Sequence, residues 1–171
     1  MSKLMNGGAP VPIKHAANKI HLVGLDYTKL KLFQLSILWR AGVSKLPPFS
    51  QVNLGPHEEK LRVMLQNGDP GRAEDYGCIM CILMDGKKLL TDLVVPPTWA
   101  RLAGLKAYRF VFGGLVFVFV VSKQSPPLFV VENFAQPDGT VTLKLQEFSE
   151  MQYLVDTVSQ LHSLGKLARR Q

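Results

Sequence analysis

Cys78-Ile79-Met80-Cys81 carries the only two cysteines of the chain, at the spacing that supplies half of a tetrahedral zinc site. The apolar stretch around them, Gly77–Met84, reads as a strand. Side chains three residues apart in a strand point to opposite faces, so the two thiolates cannot share one ion. No second pair exists to complete the ligand set, and both read as buried core cysteines. His57-Glu58 opens like the zinc-binding helix H-E-x-x-H, but Leu61 stands where the second imidazole belongs. His57 therefore reads as a local stabiliser of a helix start. His15, His21 and His162 are scattered, and no metal or other cofactor is expected.

Nucleophilic and acid–base chemistry find no better footing. The chain has no G-x-S-x-G elbow, and Ser36, Ser44 and Ser50 lack an identifiable base. It has no G-x-x-x-x-G-K-[ST] loop to cradle a phosphate. The carboxylate pairs Glu58-Glu59 and Glu74-Asp75 read as a helix start and a loop rather than as an acid and a base.

Charge is what remains. The chain has 20 lysines and arginines and 13 acids; of these, 7 basic residues and the single acid Asp26 precede residue 51. The rest is nearly balanced, at 13 basic against 12 acidic, so six of the seven net positive charges lie in the first 50 residues. A cation-rich end on a balanced body suits an anionic partner, nucleic acid first among them. The residues expected to contact phosphate are Lys14, Lys19, Lys29, Lys31, Arg40 and Lys45. The competing reading is that these are solvated charges dispersed over a basic surface. Most aromatic residues fall in apolar strand segments, so no stacking platform for single strands is visible.

The elements that must position these residues can be read from the apolar pattern. At 171 residues, 47% hydrophobic and 19% charged, the chain suits one folded domain. Residues 1–24 read as a flexible basic arm and residues 166–171 as a basic tail, with a single α+β domain over 25–165. Asp26 is a plausible N-cap for a helix that Gly42 stops, with Lys29, Ser36 and Arg40 on a narrow polar stripe. A second helix begins at Pro56, carries Glu58 and Glu59 in its first turn and ends at Gly68. Three hairpins follow: Gly77–Met84 with Lys87–Val95, Tyr108–Phe112 with Leu115–Val121, and Phe129–Phe134 with Thr140–Leu145. Together they predict an antiparallel meander of about six strands, with 115–121 central and covered on both faces. Ser149 and Gln152 match a capping box for a C-terminal amphipathic helix, with Gly165 beyond its end.

The segment Leu25-Asp26-Tyr27, the run Lys31-Leu32-Phe33-Gln34-Leu35-Ser36-Ile37-Leu38-Trp39-Arg40-Ala41, and Val52-Asn53-Leu54-Gly55-Pro56-His57-Glu58-Glu59 with Arg62 carry a resemblance. They are similar to the C-terminal region of an uncharacterised bacterial HNH-endonuclease-like family, over most of residues 24–165. In that family a preceding module has CxxC pairs and a Ser-His, which suggest a zinc-bound nuclease. The first 24 residues here contain no cysteine, so the resemblance carries over no catalytic residue. It implies a companion domain that positions a nuclease or binds its partner, in the setting of host–phage conflict.

No apolar h-region opens the chain, and the longest uncharged run, Phe110–Ser122, has 13 residues where a spanning helix needs about 20. With two cysteines only, a reducing cytoplasm is the expected compartment. The sequence thus predicts a non-catalytic module that contacts nucleic acid through a basic N-terminal face. The alternatives are a protein–protein adaptor or inhibitor in a phage-defence or CRISPR-type complex, and an enzyme whose site another chain completes.

Overall fold

A computed structural model describes residues 12–16 and 18–163. Its elements in chain order are β1 (Ile13–Ala16), β2 (Lys19–Leu22), α1 (Tyr27–Val43), α2 (His57–Asn67), β3 (Cys78–Asp85), β4 (Lys88–Leu89), β5 (Val94–Leu102), β6 (Leu105–Phe112), β7 (Leu115–Val120), α3 (Leu128–Val131), β8 (Val141–Glu147) and α4 (Gln152–Ser163). Seven strands form one sheet in the order β1-β2-β8-β3-β7-β6-β5, and the two-residue β4 pairs with the end of β3. The class is α+β.

The sheet separates two cores, and β3 and β7 feed both. Cys78, Met80, Phe117 and Phe119 pack into one core with α1 and α2; Ile79, Cys81, Val116 and Val120 pack into the other with α3 and α4. Period-2 alternation makes this unavoidable for a strand that is apolar throughout. The two cysteines fall on opposite faces, both free and buried, as their strand spacing requires.

Asp26 caps α1 as expected, its Oδ1 accepting from the Lys29 N–H at 3.0 Å. The helix does not stop at Gly42. That glycine lies inside the last turn because a Cβ there would collide with the side chain of Leu54. α2 closes at Gly68 with φ +64°, the left-handed geometry that favours glycine. Gly113-Gly114 turns β6 into β7.

Four expectations are corrected. Residues 13–16 and 19–22 of the anticipated arm are sheet strands, paired with each other and with β8. Four-residue strands are too short for a periodic signal. Residues 1–11 and the tail 166–171 lie outside the described residues, as does Gly165. The sheet is mixed, because β8 runs parallel to β3 instead of closing a third hairpin. Its expected partner, Phe129–Phe134, is a helical turn: Pro127 starts α3, and Val130 and Phe134 are buried four residues apart. A short apolar run fits a strand and a helix turn equally well. Finally, Ser149 lies in a 3₁₀ turn, Phe148–Glu150, and α4 starts at Gln152 without the capping box.

The Gly113-Gly114 turn supplies a test of close packing. Both have positive φ, +61° and +73°, but a Cβ on Gly114 would strike the carbonyl oxygen of Leu90, whereas Gly113 has nothing nearer than 3.8 Å. Gly113→Ala should cost about 1 kcal/mol, and Gly114→Ala roughly 2–4 kcal/mol, in urea unfolding. Equal losses would show that the Leu90 loop does not seat on this turn.

Candidate functional site

The first turn of α2 opens a polar cleft of about 410 Å³, lined by Pro56, His57, Lys60, Arg72, Glu74, Asp75, Tyr76 and the segment Ser122–Pro126. Three connections bring these residues together. The loop before α2 is clamped to β6: the Tyr108 hydroxyl donates to the Asn53 carbonyl at 2.5 Å and accepts from its N–H at 3.1 Å. Lys106 Nζ donates to the same carbonyl at 2.8 Å, two residues along the same face of β6. The Asn53 side chain then accepts from the Gly55 N–H at 3.1 Å, shaping the turn into Pro56 and His57.

The second wall is the loop Asp69–Tyr76. It is tied to α1 by two side chains one helical turn apart. The Tyr27 hydroxyl donates to the Gly71 carbonyl, and Lys31 Nζ to the Ala73 carbonyl, each at 3.1 Å. Within the loop, Arg72 pairs with Glu74 at 3.2 Å and with Asp75 at 3.3 Å, and Asp75 also accepts from the Arg72 N–H at 3.0 Å. These hydrogen bonds and the guanidinium hold the Asp75 carboxyl below the usual range, overcoming the effect of burial. Tyr76 has φ +53°, a conformation an aromatic residue adopts only when its surroundings impose it. Its ring is buried with Lys60 Nζ 5.6 Å from the centroid. The third wall is the Ser122–Pro126 turn that follows β7.

His57 stands where the walls meet. Its Nδ1 lies 3.1 Å from the Tyr76 hydroxyl, and the two rings meet edge to face with centroids 5.6 Å apart. Burial lowers its pKa first, and the fields of Lys106, Lys60 and Lys123 lower it further, so the imidazole is neutral at pH 7. Burial raises the Tyr76 hydroxyl to about 12, and the carboxylate of Asp75 adds to that rise. The result is a neutral histidine in a field of three lysines, opposite a carboxylate wall already engaged by Arg72. Such a site can hold an anion by charge and hydrogen bonding. The sequence reading of His57 as a local helix stabiliser is thus corrected, since its partner is 19 residues away.

The cations expected to form one face are dispersed. Lys31 is buried, with 1% of its surface exposed, and cannot reach a phosphate. Lys29 is exposed and bridges to Asp26 at 3.0 Å. Arg40 lies eleven residues further along α1, about 16 Å at the helical rise, and Lys45 follows the same helix end. Lys19 lies in β2 opposite Lys144, which pairs with Cys81, so its side chain is on the sheet face away from α1. Lys14 belongs to β1, opposite His21 in the strand register. Arg40 and Lys45 share one end of α1; Lys19, Lys29 and Lys31 do not join them.

The residues missed are Lys60, Lys106 and Lys123, with Arg72 beside them. Lys60 follows His57 by one helical turn, which was a readable signal. Lys106 and Lys123 reach the same histidine only through the sheet. Compared with known proteins, the chain matches no family model, no curated protein and no solved structure. Among the described residues, no helix is long and apolar enough to cross a membrane.

Burial pushes the Lys31 ammonium down to about 8, with Cys78, Asp75 and Glu74 partly restoring it. Its ordinary value, near 10.5, applies to the unfolded chain, so between pH 8 and 10.5 the unfolded state binds the extra proton. The cost to folding is about 3 kcal/mol below pH 8 and fades as pH rises to 10.5. Lys31→Met should therefore be the more stable protein at neutral pH. Its advantage in chemical denaturation should shrink steadily from pH 8 to 10.5. An advantage independent of pH, or none at any pH, would mean that Lys31 is not charged inside the core.

Proposed function

We propose that the protein is a non-catalytic binding module that engages the phosphate backbone of nucleic acid at the His57 cleft. The observation that carries this is a solvent-open cleft lined by Lys60, Arg72 and Lys123 around His57, with Lys106 on β6 adding its field to the same histidine. Phosphates are the ligands that such a field attracts, and clefts concentrate it. The N-terminal end of α2 adds its partial positive charge to the same opening. The contact region is thereby moved from the N-terminal cations to the junction of α2, the Asp69–Tyr76 loop and the turn after β7.

The resemblance to the C-terminal region of the HNH-endonuclease-like family supports a companion role. In that role the module would hold nucleic acid for a nuclease supplied by another module or chain, in bacterial defence against phage. The charge of the lining agrees with contact to the phosphate backbone.

Binding of a labelled oligonucleotide should weaken steeply from low to moderate salt, with a logarithmic slope set by the neutralised phosphates. Lys60→Glu with Lys123→Glu should cost about tenfold or more and lower the slope by about two, while Lys29→Glu with Lys45→Glu changes it less. Binding that is absent at low salt, or a loss confined to the Lys29 and Lys45 variant, would overturn the proposal.

A further inference from the structure

At the far end of the β6–β7 hairpin lies a second concavity of a different character. It is a groove of about 700 Å³ between the C-terminal half of α1 and the start of β5, floored by Ile37, Ala41, Phe110 and Phe112. Arg40 is the single charged residue that lines it, and no carboxylate does. Among the described residues Arg40 has no ion-pair partner, whereas Lys29, Arg62 and Arg72 each have one. The rim carries apolar surface in solvent, Val94 being 67% exposed.

The neighbouring edge narrows what can bind. β5 ends the sheet, and an edge strand normally invites another strand. Here Pro96 and Pro97 lack N–H groups and interrupt the register between Val95 and Thr98, and the Trp99 N–H donates to the Gln51 side chain at 3.3 Å. Strand addition is thereby blocked along this part of the edge. An occupant must bind through side chains in the groove, which is the helix-in-groove mode. The wall from Ile37 to Ser44 spans about 10 Å at the helical rise, room for two turns of a helix. A second copy of the chain would bring a net charge of +7 against another +7.

We propose that this groove receives a short amphipathic helix from a partner protein, seated by apolar anchors one turn apart and by a carboxylate that pairs with Arg40. The charge argument fixes the sign: an apolar trough with one unpaired guanidinium at its wall selects an acidic, not a basic, segment. The module then has two contact sites at opposite ends of one hairpin. From Lys106 to Phe112 the separation is six residues of strand, about 20 Å. One partner does not occlude the other.

The test uses the full chain as bait for a displayed library of random helical peptides. Selected binders should combine leucine- or phenylalanine-type anchors at helical spacing with an aspartate or glutamate. Arg40→Glu should weaken them about tenfold, and exchanging the peptide's acid for lysine should recover that loss in the Arg40→Glu protein. Val94→Asp, at a rim position whose side chain is mostly in solvent, should also weaken binding. Binders without acids, or affinities unmoved by both substitutions, would overturn the proposal. So would native mass spectra showing a lipid in the groove, or a dimer that Val94→Asp dissolves.

Discussion

Lys31 is a charged group placed where the solvent cannot reach it, and the cleft depends on what it does there. Its Nζ donates to the carbonyl of Ala73 from within the core, one turn from Tyr27, whose hydroxyl holds Gly71. Together these bonds fix the Asp69–Tyr76 loop against α1 at two points. That loop carries Arg72, Glu74, Asp75 and Tyr76, and Tyr76 in turn holds His57. Burying an ammonium costs free energy that a leucine at the same position would not, and the loop carbonyl and nearby acids offset only part of it. A strained Tyr76 backbone adds to the cost. Such features persist where the surrounding structure holds them in place, and here they surround one cleft.

The sheet makes this arrangement affordable. Because β3 and β7 are apolar on both faces, each face has its own core, and the floor of the groove is an extension of the first of them. The polar site forms where β7 leaves the sheet and β3 enters it; the apolar groove forms at the Gly113-Gly114 end. Tyr108 and Lys106 on β6 link the two by clamping the loop that leads into α2. The hairpin thus sets the distance between the polar cleft and the apolar groove.

What could be read in advance follows from where the information lies. Helices α1 and α2 were legible because Asp26, Pro56 and Gly68 act on their immediate neighbours, and the central strand because its apolar run has no interruption. The hairpin at Gly113-Gly114 was legible for the same local reason. The parallel pairing of β8 with β3 was not, since it is settled by α3 and its loop crossing the second face. Lys31 was misread for a related cause: lysine is a surface residue by default, and only the Ala73 carbonyl, 42 residues on, makes the interior tenable. The cleft itself joins three chain segments, and only the His57–Lys60 spacing was visible in one of them.

The buried ammonium can be observed directly by following the side-chain Nζ and Cε resonances of Lys31 in heteronuclear NMR as pH is raised. A midpoint near 8, shared by the amides of the Asp69–Tyr76 loop, is what this arrangement requires. An ordinary lysine midpoint near 10.5, with the loop amides silent, would place that ammonium in water and remove the anchor on which the cleft rests.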